Sequence, residues 1–560
     1  MEFMNPWTED QIDFLRVKER MRAETPYGVR YQSERTPFLR GQEKQWRSDR
    51  EDLLLFNDVF CRTRGSRRPF GRMVRSALAA LPDIQTVTQL LQKRESLVTE
   101  QCASLKRIAA IGLRIDGLLA DAGARRPWWN AAALVQVHAR LSGEDIMPAT
   151  DCSDDETVRR SSDDSFSLRD VADDAVKTLY AALQDVRARR SSAKKEFMRA
   201  LCADYRAPVR RDHALIISDD DPQAVAEASS DPRLRLLHRT AFEVVLEPVW
   251  PEEVRRLLAD EETLAETLAE GEENTLRKVS AMLHPYADAL AECAQGMGRL
   301  DDVCARVSAA CEEGWVWSRL NSDGAVVLTG AYQPERRQGW TPCTITLQRP
   351  VSVLTGPNMG GKTAALKTVL LALACHQYGY PAPAESVSAP LFAALRYVGG
   401  DAQSLLSGLS SYGAEVVALQ EAISLDGAFL CLDEIGRNTN PQEGAALVTA
   451  LLETLLDARR QMTICATHFT VALPAQTADY FRMQGLKREF LKAHGAPVSA
   501  PEGIERLREA MDYTIVRAPD GACPSEGLAV ARWLGLREDV VDRARRNLDR
   551  FSKNRDKGGE

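Results

Sequence analysis

Apolar positions along this chain recur with two different periods. Up to about residue 340 the pattern is mainly helical and rich in Arg, Glu, Leu and Ala; beyond it, short apolar runs alternate with helical stretches, as in a mixed or parallel sheet with crossover helices. The clearest helical seam is Leu276, Val279, Leu283, Tyr286, Leu290, Cys293, Met297 and Leu300, spaced 3-4-3-4-3-4-3, with Pro285 predicting a kink. Such a seam belongs either to a helix inside a bundle or to half of an antiparallel coiled-coil lever. Its partner would be 173–205, which holds no Gly or Pro and would span about 50 Å as a helix. FEVVLEP (242–248) reads as a strand ended by Pro248 and Pro251. The acidic, Ser-rich stretch 149–174 reads as an exposed connection closing on an N-cap at Ser167 or Asp170.

Composition narrows the class. A chain of 560 residues predicts three or four domains at about 150 residues each. Lys and Arg number 72 against 80 Asp and Glu, a net charge of −8, which excludes a dedicated polycation but not a local basic stripe. None of the 12 cysteines forms a C-x-x-C pair, so zinc-ribbon and thioredoxin-like chemistry is not expected. Cys431 and Cys465 sit in apolar runs, as reduced, buried thiols do. The N-terminus has no basic stretch leading into an apolar one, and the apolar run TVLLALAC is far shorter than the roughly 20 residues of a membrane span. The expectation is a soluble cytoplasmic protein with no membrane partner.

The strongest chemical signal is Gly356-Pro357-Asn358-Met359-Gly360-Gly361-Lys362-Thr363, between an apolar strand (Val351, Val353, Leu354) and an apolar helix. This is G-x-x-x-x-G-K-[ST] in the strand–loop–helix context of a P-loop. Its glycines let backbone N–H groups surround phosphates, and the helix N-terminus adds partial positive charge. Lys362 is expected on the β- and γ-phosphates and the Thr363 hydroxyl on Mg²⁺, with ATP as ligand. About 70 residues on, AFLCLDEIGRNTNP carries Asp433, placed for the Mg²⁺ shell, and Glu434, placed to orient or deprotonate the attacking water. A third strand, MTICATHF, ends at Thr467-His468, where His468 would bond the γ-phosphate or the water.

These strings, with PAES (383–386), GLSSYGAE (408–415), LDEIGRNT (432–439) and ATHF (466–469), resemble the ATPase domain of the MutS DNA mismatch-repair family in order and spacing from about 335 to 480. Similarity continues more weakly: LPDIQTVTQLL (81–91) looks like the family's core segment, TAFEVVLEP like its strand entering the clamp helices, and 512–544 like its C-terminal helical dimerisation segment. The resemblance implies an α/β P-loop (ABC-type) ATPase domain at 311–490. It also implies a helical core-like domain at 1–150, lever helices with a short strand at 151–310 and a helical dimerisation segment at 491–560. It further implies a homodimer, or a heterodimer with a related subunit, in which Ser410 or Ser411 reaches the partner's γ-phosphate, and DNA as the default client.

Departures qualify that client. Lys362-Thr363-Ala364 stands where the family usually has Lys-Ser-Thr, and Arg437-Asn438-Thr439-Asn440-Pro441 replaces Arg-Gly-Thr-Ser-Thr in a loop that faces the partner subunit. No Phe-x-Glu occurs, and little chain precedes the core-like segment, so a mismatch-recognition domain is not expected. SSYGAE, TNPQEG (439–444), RMQGL (482–486) and MDY (511–513) look like the MutS-related ATPases that accompany cobalamin-dependent lysine 5,6-aminomutase, regarded as reactivases of that enzyme. Arginines 62, 64, 67, 68, 72 and 75 would either grip a phosphate backbone or pair with acidic neighbours. Trp128-Trp129 would either anchor a partner or pack half-buried. The other histidines show no ligand spacing.

Overall fold

The computed structural model describes residues 2–66, 69–143, 166–207, 214–336, 341–357, 360–399, 411–458, 460–471, 473–474, 476–487, 489, 507, 509–518 and 527–556 (backbone only at 336, 411 and 549–556). The chain is mixed helix and sheet, mostly helical. The boundaries drawn from the sequence are boundaries of composition; contacts group the chain into two units, Ala80–Ala120 with Pro127–Gly296, and Met1–Ala79 with Asp121–Arg126 and Met297–Glu560.

The first unit is built on two long helices, Asp174–Tyr205 and Glu252–Leu283. Asp173 caps the former by accepting from the Val176 amide at 3.1 Å, while Ser167, not Asp170, caps the short turn Leu168–Val171 before it. The two helices run antiparallel. Lys278 pairs with Asp173 at 3.0 Å, Tyr180 with Glu272, and both Arg187 and Arg190 with Glu261. Val176, Leu183 and Leu268 are buried between them, with Leu179 and Leu264 alongside. Pairing therefore lies upstream of the sequence seam. Seam residues Val279, Leu283, Leu290 and Cys293 are buried instead in a bundle, where Ser280 accepts from the Leu97 amide at 2.8 Å and Cys293 donates to the Asn130 carbonyl at 2.9 Å. The seam itself thus belongs to the bundle, interrupted by a 3₁₀ turn, His284–Tyr286, around Pro285, while the pairing of the long helices uses residues before it. Trp129 is packed, its indole donating to Asp116 at 3.0 Å.

Between the long helices in the chain, β1 (Leu215–Ser218), β2 (Leu234–Arg239) and β3 (Glu243–Pro248) form an antiparallel sheet in the order β1-β3-β2. Only β3 was expected. β2 escapes notice because it runs along the edge with Arg235 to Arg239 all exposed, so it shows no apolar–polar alternation.

Among the described residues the second unit holds ten strands: β4 (Arg319–Leu320), β5 (Val326–Ala331), β6 (Cys343–Leu347), β7 (Val351–Thr355), β8 (Ser386–Ala389), β9 (Ala394–Val398), β10 (Ala428–Asp433), β11 (Met462–Ala466), β12 (Ala478–Leu486) and β13 (Met511–Arg517). Six of them make a sheet in the order β13-β12-β7-β11-β10-β9, parallel from β12 to β9, with β13 antiparallel at its edge. β4-β8-β5-β6 make a second sheet. The helix Lys362–Gln377 lies in one core with both, which is why it is apolar on every side: Leu366, Val369, Leu370 and Leu373 are all fully buried. Helices Ser411–Ile423 and Pro441–Ala458 cover the opposite face, through Leu419, Val448 and Leu452 on Val353 and Leu432. Residues 511–517, read from the sequence within a helical segment, are strand β13; the Tyr-Thr-Ile-Val run is a good strand former, and helices follow it from Gly527.

An ion cluster fixes the far end of that central helix. Arg306, fully buried, donates to both Asp49 oxygens at 2.7 and 3.1 Å and to the Gly379 carbonyl at 3.1 Å, and pairs with Asp302 at 2.8 Å. Gly379 has φ +67°, and a Cβ there would lie 2.6 Å from Asp49 Oδ2, so only glycine fits the turn. Of the basic segment, Arg62 pairs with Asp58, and Arg75 with Glu24 and Glu312; Arg67 and Arg68 lie outside the described residues, as does 149–165. No helix among the described residues is long and apolar enough to cross a membrane.

Candidate functional site

β11 lies between β7 and β10, with Ala466 registered against both Leu354 and Asp433. The strands are parallel, so the loop after β7, the Asp433-Glu434 pair and Thr467-His468 emerge side by side at one edge, where ligands bind in open α/β sheets. Two backbone bonds continue the alignment past the strand ends: Thr467 donates to the Leu354 carbonyl at 3.1 Å, and Glu434 to the Ala466 carbonyl at 2.9 Å.

Gly361, at φ +88°, starts the helix Lys362–Gln377. Lys362 is 4% exposed and turned back on its own loop, donating to the carbonyls of Gly356 at 3.0 Å and Pro357 at 3.1 Å, with Glu434 Oε1 at 3.3 Å. Glu434 is itself left-handed, at φ +52°, uncommon for a residue with a side chain. It also faces Arg437 at 3.5 Å. Lys362, Asp433 and Glu434 therefore share one cleft.

Asp433 is buried and accepts from the Tyr397 hydroxyl at 2.7 Å through Oδ2, whereas Oδ1 is buried with no hydrogen-bond partner among the described residues. Burial raises its carboxyl above the ordinary value, against the pull of the Tyr397 and Thr363 hydroxyls and the Lys362 ammonium. An orphaned carboxylate oxygen beside a threonine hydroxyl suits a hard divalent cation, which takes oxygen ligands. His468 is half-buried with its ring against Phe469, centroids 4.2 Å apart. Asn358, Met359 and Ser410 lie outside the described residues, and of Ser411 only the backbone, at the start of its helix, is described. Glu415 of the same segment accepts from the Gly436 amide at 2.6 Å, tying that helix to the loop after Glu434.

Sequence reasoning missed three residues here. Tyr397, at the end of β9, holds Asp433. Tyr513 and Met483 pack against Gly361 and Gly356, where added Cβ atoms would approach them to 2.9 and 2.8 Å. A tyrosine closing an apolar strand before Gly399 was the one available signal; Met483 meets the loop through β12–β7 pairing, and Tyr513 through β13 beyond β12.

Residues 352–552 match the family model for MutS domain V. The chain is 30% identical over 273 residues to the DNA mismatch repair protein MutS of Thermus thermophilus, covering 48% of this chain and 31% of that protein. It is 30% identical over 289 residues to that of Thermus aquaticus (51% and 33%), and 28% identical over 254 residues to the endonuclease MutS2 of Carboxydothermus hydrogenoformans (44% and 30%). The chain spans about a third of the length of these curated relatives. The stretch that is similar to MutS domain V, residues 352–552, contains the motifs brought together at one sheet edge.

Proposed function

We propose that this protein binds and hydrolyses ATP through an α/β P-loop (ABC-type) domain and works as a MutS-type dimeric clamp, with DNA as the family's client. The observation that carries the reading is the joint cleft of Lys362, Asp433 and Glu434. Lys362 is parked on loop carbonyls, and a triphosphate offers it stronger acceptors. Moving there, it leaves Glu434, whose carboxylate then faces the attacking water and takes its proton. Thr363 and Asp433 would hold Mg²⁺, which when bound neutralises phosphate charge. His468, at the neighbouring strand end, would bond the γ-phosphate or the water. Ser410 or Ser411 would serve the partner's site in the dimer.

Two variants test the chemistry. Glu434→Gln should lower ATP turnover by about 10²- to 10⁴-fold while nucleotide binding persists; unchanged turnover would refute the assignment. Lys362→Ala should abolish binding, measured by equilibrium titration with a fluorescent ATP analogue.

A second reading, an ATPase subunit of a reactivase for a cobalamin-dependent aminomutase, is favoured by the small sheet. Residues 214–250 carry seven Asp and Glu against three Arg, and Leu236, Leu237 and Phe242 are 53%, 52% and 81% exposed. An acidic, apolar surface suits a polypeptide better than a phosphate backbone. Salt-dependent affinity for duplex DNA supports the clamp; no DNA binding at low salt, with co-purification of an aminomutase, supports the reactivase.

A further inference from the structure

The helix Glu43–Thr63 and the segment Trp317–Leu320 enclose a cleft of about 540 Å³, within the range of small-molecule sites. Arg50 sits in its wall. The side chain is more than nine-tenths buried, with Trp46 and Trp317 rings 4.6 and 5.2 Å from its guanidinium carbon. Its single hydrogen bond runs from Nη2 to Ser318 Oγ at 3.1 Å; Nε and Nη1 have no partner among the described residues. Asp49, the adjacent carboxylate in sequence, gives both oxygens to Arg306 and faces Arg35 at 3.4 Å. Burial lowers the Arg50 pKa to about 10, the mark of a cation lacking full compensation. Arg47 and Arg319 line the same cleft, exposed and without an ion pair among the described residues, while Glu51 is the lone acidic residue in the lining.

We propose that this cleft binds a small organic anion, its carboxylate or phosphate group held by Arg50, Arg47 and Arg319 and its apolar body lying on Trp317 and Leu54. Buried cations are ordinarily matched by an anion, and among the described residues no carboxylate hydrogen-bonds or ion-pairs with Arg50. The site is distinct from the nucleotide cleft but mechanically joined to it. Trp46 Nε1 donates to the His376 carbonyl at 2.9 Å, and His376 Nδ1 lies 2.8 Å from Ser318 Oγ. His376 lies in the last turn of the helix that Lys362 begins, about 21 Å away at 1.5 Å per residue.

Ligand-observed NMR titration of the full chain with benzoate and, separately, phenyl phosphate tests this, with uncharged benzamide as control. Saturable binding of either anion is expected, and which one binds distinguishes carboxylate from phosphate. Affinity should fall by at least about tenfold in Arg50→Gln and in the exposed double variant Arg47→Glu/Arg319→Glu, and persist in Lys362→Ala. The double variant keeps the test valid should Arg50→Gln not fold. No saturable binding of either anion, equal binding of benzamide, indifference to the double variant, or loss in Lys362→Ala would each overturn the proposal. Because the readout is binding, its failure leaves the ATPase assignment untouched.

Discussion

Asp433 has one oxygen on Tyr397 and the other without a hydrogen-bond partner among the described residues, and that asymmetry gives Tyr397 a defined job. Tyr397→Phe should cost about 1.5–3 kcal/mol of stability, the range for a hydrogen bond to a charged group, and raise the Mg²⁺ concentration needed for half-maximal ATP turnover. An unchanged Mg²⁺ requirement would make the tyrosine merely structural. His376 carries a pH prediction. Burial, with the Arg50 charge beside it, pushes its imidazole down to about 3, so the folded chain keeps it neutral. The unfolded chain protonates near pH 6.5, so stability is full above that value and declines as pH falls toward 3, by at most about 1.4 kcal/mol per pH unit. Denaturant midpoints followed from pH 7 to 5 should fall less steeply in His376→Gln than in the parent. Burial would raise the Asp49 carboxyl, but the Arg306 and Arg35 guanidiniums hold it well below the usual range. Asp49→Ala removes the two-oxygen partner of the buried Arg306, leaving it only Asp302, and should cost about 3–5 kcal/mol, read as a lowered melting temperature.

The elements differ in how plainly the sequence announced them. The loop between β7 and its helix was readable because phosphate binding restricts residue type: glycine where φ is positive, lysine and threonine at fixed offsets. The pairing of Asp174–Tyr205 with Glu252–Leu283 was only half readable, because Glu261, Gly271 and Thr275 interrupt the apolar seam where the helices meet. Glu261 is 15% exposed and takes both Arg187 and Arg190, so charge sets the register where apolar contacts do not. Glu261→Arg should loosen the arm by about 1 kcal/mol, and Arg187→Glu with Arg190→Glu should recover most of that loss, measured as a coupling energy in a double-mutant cycle. Absence of coupling would leave the register to the leucines alone. Strands β2 and β13 were illegible for another reason: one is exposed along its length, and the other owes its strand form to pairing with β12.

Across the whole molecule, net charge and local charge have to be separated. The chain carries −8, yet cations gather where chemistry needs them, at Lys362 in one cleft and at Arg47, Arg50 and Arg319 in another. Both clefts lie in the unit made of the chain's beginning and its second half, which is why linear composition did not foretell the grouping. The sheet order within that unit also acts as a ruler. Lysine and aspartate motifs leave β7 and β10, strands that β11 holds about 10 Å apart at roughly 4.8 Å per strand, yet the Lys362 ammonium crosses that gap to lie 3.3 Å from Glu434 Oε1. That pair works as a latch across the strand ends, so any anion entering between them must first unfasten Lys362 from its carboxylate.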